Sequence, residues 1–272
     1  MNVFNPKYNY VIHPEKGIQV KIDEDLNQFN VDLLNIGDLR APSKTIEVLS
    51  VSFDLEGFTI FTRQVDPHLT IPNFISDFFN WLFNNVKYSI KDHEQENTLW
   101  AELPFFSKFM GDGVLFLWKI DLDKIAQIEK HLRSEQLQKL LQEFLSNIIT
   151  SMYDLCRGYK HFLKAESSNY VEPPTKLRCG IARGSVYPIG NGLDFVGPCI
   201  NISSRLQKMG DLSFAFSARG IDLNAFHPSY GPVFIKKKVS IRGIGDNELI
   251  YISREEFEKL PQDLKGNFID MG

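Results

Sequence analysis

Two aspartates stand where a strand end could offer them to metal and phosphate. In SVSFDLEGFTIFT (residues 50–62) the apolar and β-branched run Val48–Leu55 reads as a buried strand, and it delivers Asp54 to its end. Gly57 then opens a tight turn whose N–H groups suit a phosphate. In KFMGDGVLFLW (residues 108–118) Gly111-Asp112-Gly113 reads as the tip of a β-hairpin. Either aspartate alone is an ordinary turn residue. On neighbouring strand ends the pair could hold two divalent ions on a triphosphate. A polar helix face follows later. GPCINISSRLQKM (residues 197–209) opens with Gly-Pro like a helix N-terminus, and Asn201 and Arg205, four apart, share a face.

The elements that must position these residues are legible from periodicity. Phe74, Phe78, Leu82 and Val86 recur every four residues, with Ile75, Phe79 and Phe83 beside them. That predicts a helix with one broad apolar face and Pro72 near its start, a core stripe and not a cofactor site. HEQENTL (residues 93–99) is a polar loop, and DLDKIAQIEKHL (residues 121–132) predicts a short helix. From Ser134, a candidate N-cap, a long helix carries Leu137, Leu141, Phe144, Ile148, Met152 and Leu155 at helical spacing. KLRCGIARGSVYPIG (residues 176–190) reads as two strands joined at Gly184. LSFAFS is a short strand, PVFIKKKVSIRG and ELIYIS form a final hairpin, and REEFEKLPQDL is a C-terminal helix or tail. Helices covering one mostly antiparallel sheet make an α+β domain. Residues 1–43 form a strand-bearing N-terminal extension that ends at Ala41-Pro42-Ser43 and is read as a packing or dimerisation element.

Bulk properties bound the function. The chain has 272 residues, 43% of them hydrophobic, enough for one large domain with a sizeable core. A net charge of −4 argues against a nucleic-acid binder that works by bulk electrostatics. Cys156, Cys179 and Cys199 match no zinc spacing and read as reduced core thiols of a cytoplasmic protein. Residues 1–20 are polar and broken by prolines, which is unlike a signal peptide, and no apolar run reaches membrane-spanning length. The histidines form no cluster and are not expected to bind metal.

Four motifs, FDLEGFT, KFMGD, DFVGPCINISSR and SIRGIG, stand in one order that resembles the class III nucleotidyl cyclase catalytic domain over roughly residues 45–252. The resemblance implies a ferredoxin-like, palm-type fold, with the catalytic domain over residues 44–252 and a tail over 253–272. It implies Asp54 and Asp112 as ligands of two divalent cations, Mn2+ or Mg2+, with the carbonyl of Leu55 as a further ligand. Lys108 and Asp194 match the base-recognition pair. Asn201 matches the residue that orients the ribose, and Arg205 the one that stabilises the pentavalent transition state. Arg242 stands where the family commonly has a phosphate-binding lysine, a change that keeps the charge and adds a fork of donors. Phe58, within the first motif, is a candidate for shaping the base pocket. A homodimer with shared active sites is also implied.

The base is less determined. Asp accepting from an exocyclic amine, with Lys donating to the neighbouring ring nitrogen, fits adenine or cytosine and disfavours guanine. The stretches FDLEGFTIFTRQVDPH and DFVGPCINISSRLQK look most like the stand-alone bacterial pyrimidine cyclases of the Pycsar antiphage systems. That implies cyclic UMP or cyclic CMP as product, acting on a separate effector. An adenylate cyclase making cyclic AMP is the alternative. A catalytically inactive nucleotide-binding module is a further one. Such modules usually lose a metal carboxylate or the transition-state pair, and Asp54, Asp112, Asn201 and Arg205 are all present.

Overall fold

The computed structural model describes residues 5–40, 43–64, 66–121, 124, 127, 133–166 and 169–270. They fall into two compact units: Met1–Thr45 with Tyr187–Val196, and Ile46–Val186 with Gly197–Gly272.

The larger unit is built on the strand β3 (Ile46–Glu56), which is buried on both faces. Leu49, Val51, Phe53 and Leu55 point into the hydrophobic core, whereas Ser50, Ser52 and Asp54, one residue out of phase, point to the opposite face. β3 pairs antiparallel with β5 (Gly113–Lys119) on one side and β6 (Lys176–Ile189) on the other. The sheet order is β11-β9-β10-β8-β6-β3-β5-β4. The remaining members are β4 (Phe106–Phe109), β8 (Phe214–Ser217), β9 (Phe234–Ile241), β10 (Gly245–Ser253) and β11 (Phe268–Asp270). β6 and β8 pair in parallel, and the other described pairings are antiparallel.

After a one-turn helix, α1 (Phe58–Phe61), two long helices cover the core face: α2 (Pro67–Ile90) and α3 (Ser134–Glu166). The stripe Phe74, Phe78, Leu82 and Val86 is buried as its spacing predicts, joined by Ile90. Each of these side chains contributes roughly 1.5–3 kcal/mol by burial. The helix starts earlier than expected, with Pro67 in its first turn, so Pro72 lies inside it. Residues before Pro67 have no periodic apolar signal, and Pro67 itself needs no N–H partner at a helix start. Ser134 is the first helical residue of α3 rather than its cap. The expected helix over 121–132 lies largely outside the described residues.

The opposite face of the sheet takes α4 (Pro198–Leu206). Two glycines of β6 make room for it. A Cβ on Gly180 would lie 2.0 Å from the Ser203 carbonyl oxygen, and one on Gly184 would lie 3.1 Å from Cys199 Cβ. This corrects the reading of residues 176–190: β6 is one continuous strand, and Gly184 serves helix packing, not a turn. With α4 drawn in this close, Ser203 Oγ is hydrogen-bonded to the hydroxyls of Ser50 at 2.8 Å and Ser52 at 2.9 Å. Gly180→Ala is therefore expected to push α4 off the sheet and to lower stability by about 3 kcal/mol, read as a lower urea midpoint at unchanged slope.

The C-terminal segment is more than a helix or tail. After α5 (Arg254–Lys259) and α6 (Gln262–Lys265), β11 pairs with β9 at the sheet edge. Three residues are too few to show a period. All three cysteines are buried thiols. No described helix is long and apolar enough to cross a membrane.

In the smaller unit β1 (Tyr8–His13) and β2 (Gly17–Ile22) form an antiparallel hairpin. Two short 3-10 turns follow, Leu26–Gln28 and Val31–Leu34, capped by the side chains of Asp25 and Asn30. The chain then runs against the turn at Gly190, where a Cβ would lie 1.1 Å from the Ile36 carbonyl oxygen. β7 (Asp194–Val196) pairs with the last residues of β6.

Candidate functional site

Strand parity aims Asp54 at the α4 face of the sheet. In register it stands opposite Gly113 of β5 and Arg178 of β6. The Leu55 N–H donates to the Asp112 carbonyl at 3.0 Å, so the hairpin tip is tied to β3 beside Asp54. The tip depends on its glycines. Gly111 has φ +90°, and a Cβ on Gly113 would lie 1.9 Å from the Phe53 carbonyl oxygen. The two expected carboxylates are thus brought together.

Their electrostatics are unfavourable as they stand. Asp54 is only 6% exposed. Burial pushes its carboxyl above the ordinary range, and the negative charge of Asp112 pushes it further. Lys208 and Arg178 oppose this. Arg178 is shared, because its guanidinium also binds Glu56 at 3.1 Å. Lys208 Nζ lies 3.7 Å from Asp54 Oδ1.

This is an arrangement that a divalent cation would relieve. The donors are carboxylate oxygens, as Mg2+ and Mn2+ prefer. The Leu55 side chain is held in the core, so only its main chain could serve a ligand. Among the described residues no group of three or more His, Cys, Asp or Glu stands together. Asp54 and Asp112 would therefore share their cations with carbonyl, water and substrate oxygens.

A second group forms on α4. Asn201 and Arg205 are exposed on one face, as their spacing predicts. They line a cleft of about 460 Å³ together with Ser204, Lys208, Ser240 and Arg242. Arg242 follows the end of β9 in a turn completed by Gly243 at φ +76°. The cleft lining has three cations and no carboxylate. Among the described residues Arg205 and Arg242 have no ion-pair partner. Such a surface suits a polyanion.

Lys208 connects the two groups, and sequence reasoning missed it. It sits in the turn after α4, its N–H bonded to the Arg205 carbonyl at 3.1 Å. Only its spacing, seven residues past Asn201 and three past Arg205, could have signalled a shared face.

The remaining expected residues are placed as follows. Lys108 is exposed on the edge strand β4, opposite Leu115, which in turn stands opposite Ser52. Lys108 therefore shares the sheet face of Asp54. Phe58 opens α1 and is half-buried, its ring centroid 5.9 Å from Phe61 and 6.4 Å from Phe74. Asp194 opens β7 in the smaller unit, its Oδ1 accepting the Phe195 N–H at 2.8 Å.

No protein-family model and no curated protein matches the chain. Solved structures do. The adenylyl cyclase CyaB from P. aeruginosa superposes with a TM-score of 0.52 at 13% identity, over 78% of this chain and 96% of that one. A bacterial light-regulated adenylyl cyclase gives 0.51 at 14% identity, over 80% of this chain and 53% of that one, so the match spans about half of the light-regulated protein. The mixed α+β fold, a mainly antiparallel sheet with helices on its faces, is that of cyclase catalytic domains.

Proposed function

We propose that the chain is a class III nucleotidyl cyclase, converting a nucleoside triphosphate to a 3′,5′-cyclic nucleotide and pyrophosphate. One observation carries the reading: the carboxylate pair Asp54 and Asp112 is linked through Lys208 to a cleft lined by Asn201, Arg205 and Arg242. A carboxylate pair alone would suit many phosphate enzymes. A chain that carries both this pair and a cleft free of carboxylates, in a cyclase fold, supplies both halves of a site for in-line attack on the α-phosphorus of a triphosphate.

Two divalent cations, when bound, would lower the pKa of the 3′-hydroxyl and neutralise the β- and γ-phosphates. The chain's own residues do the rest. Asp54 and Asp112 hold the cations, with the Leu55 carbonyl as a further oxygen. Asn201 orients the ribose. Arg205 places a guanidinium where negative charge grows on the α-phosphoryl oxygens and the bridging oxygen. Arg242 binds the departing phosphates through its fork of donors. No side chain needs to act as a nucleophile.

For the base we propose a pyrimidine, giving cyclic CMP or cyclic UMP as a signal to a separate effector in antiphage defence. The likeness of the motif stretches to pyrimidine cyclases supports this. The Lys108 and Asp194 edge pattern supports cytosine, and equally adenine, and adenine is also the base of the two cyclases that share the fold. Pyrophosphate release with Mn2+ and each of the four nucleoside triphosphates tests the reading. Release from a single pyrimidine substrate supports it, release from ATP alone replaces it with an adenylate cyclase, and no release from any removes the activity. Substituting Lys108 or Asp194 by Ala is expected to change base preference more than metal dependence. Losing a partner to a base edge costs about 1–3 kcal/mol, roughly 5- to 150-fold in selectivity, which product analysis with mixed triphosphates would read. Unchanged selectivity in both would transfer base reading to pocket shape, with Phe58 as the next residue to change.

A further inference from the structure

Lys208 has no role in the reaction as proposed, yet among the described residues it is the one side chain that both lines the cationic cleft and reaches the buried carboxylate. Its Nζ is 3.7 Å from Asp54 Oδ1, while the rest of the side chain is well exposed, at 61%. Asp54 is the reverse, with a side chain only 8% exposed. A flexible, solvated ammonium therefore pairs with a fixed, desolvated carboxylate. In such a pair the lysine is the partner that can leave, because four rotatable bonds and water await it. Its tether also limits where it can go. It stands in the turn directly after Arg205, at the rim of a cleft that already holds Arg205 and Arg242.

We propose that Lys208 is an exchangeable counter-ion: it neutralises Asp54 while no divalent cation is bound, and it swings to the triphosphate once a cation displaces it. The idea rests on the reading of Asp54 as a metal ligand. A cation at Asp54 and the Lys208 ammonium compete for the same carboxylate charge. The released ammonium then faces the phosphates that the cation at Asp54 would hold. Charge balance is kept in both states: the empty site is not left as two bare carboxylates, and the filled site gains an ammonium for the phosphates. It follows that Lys208 weakens binding of the free metal and strengthens binding of the polyphosphate.

That opposition of sign is the test. Mn2+ binding would be followed by electron paramagnetic resonance of the free ion, without nucleotide, for wild type, Lys208→Met, Lys208→Arg and Asp54→Asn. Inorganic tripolyphosphate binding would be followed by calorimetry at saturating Mn2+, the state in which Lys208 is released. Lys208→Met is expected to bind Mn2+ roughly fivefold more tightly, the scale of a partly exposed ion pair, and to bind tripolyphosphate more weakly by a similar factor. Lys208→Arg, which keeps the charge, should restore both values towards wild type. If Lys208→Met loosens both ligands, the residue is merely structural and the proposal is overturned. It is equally overturned if Mn2+ affinity is unchanged while Asp54→Asn abolishes Mn2+ binding. If Asp54→Asn binds Mn2+ as well as wild type, the metal reading itself fails and takes this inference with it.

Discussion

Asp54→Asn is expected to abolish turnover and at the same time to raise the melting temperature of the metal-free protein. The loss should reach on the order of a thousandfold or more, since one ligand to the proposed cations carries several kcal/mol of transition-state stabilisation. The gain in stability has a separate cause. Burial and the charge of Asp112 raise the Asp54 carboxyl above its ordinary value of 3.8. The folded protein thus holds that proton more tightly than the unfolded chain does. Stability therefore falls as pH rises from the unfolded value through the raised one, and the deficit persists at neutral pH. Asparagine keeps the shape and removes the charge. The variant should melt higher than wild type at pH 7, with the difference shrinking as pH is taken below about 4, where the unfolded carboxyl is also protonated. Added Mn2+ should raise the wild-type melting temperature by mass action and leave the variant unmoved. Near-normal turnover of Asp54→Asn with saturating Mn2+ would remove Asp54 from the metal site.

Activity should also return when two dead proteins are mixed. We propose that the cyclase works as an isologous homodimer in which Asp54 and Asp112 of one protomer serve the Asn201 and Arg205 of its partner. Asp54→Asn and Arg205→Ala are each expected to be inactive alone. After subunit exchange a mixed dimer collects both lesions in one site and none in the other. With equal concentrations and free exchange, about half the dimers are mixed and each has one working site of two, so about a quarter of wild-type activity should appear. The structure makes this experiment pointed, because Lys208, a neighbour of Arg205, reaches Asp54 of its own chain. If tag capture shows that subunits exchange and no activity appears, the site lies within one chain and the shared-site arrangement is wrong.

Much of the scaffold could be read before any coordinates. The strand that carries Asp54 near its end, the hairpin tip at Asp112, the apolar stripe of α2, the long α3 and the shared face of Asn201 and Arg205 all follow from local rules. Alternation, fourfold recurrence and glycine turns are properties of neighbouring residues, so they survive in a linear string. What failed was whatever depends on a second element. Gly184 looks like a turn in the sequence because glycine usually breaks a strand. In the fold it is a gap kept open for Cys199 of α4, and β6 runs straight through it. β11 is too short to show a period, and its pairing with β9 is a long-range event.

The site divides in the same way. Residue type and spacing nominated Asp54, Asp112, Asn201 and Arg205, because the chemistry of phosphate transfer restricts which side chains can do it, and the resemblance to the cyclases added Arg242. Spacing could place Lys208 on the face of Asn201 and Arg205, but only tertiary structure could set it beside Asp54. In the sequence it is one lysine past the end of a short helix, no different from a solvated one. The close packing of α4 along β3, permitted by Gly180 and Gly184, carries that turn to the buried end of the strand and sets an ammonium beside Asp54. Charges meet across distances in sequence that no local pattern spans, and burial, which determines what such a meeting is worth, is a property of the whole sheet and its helices.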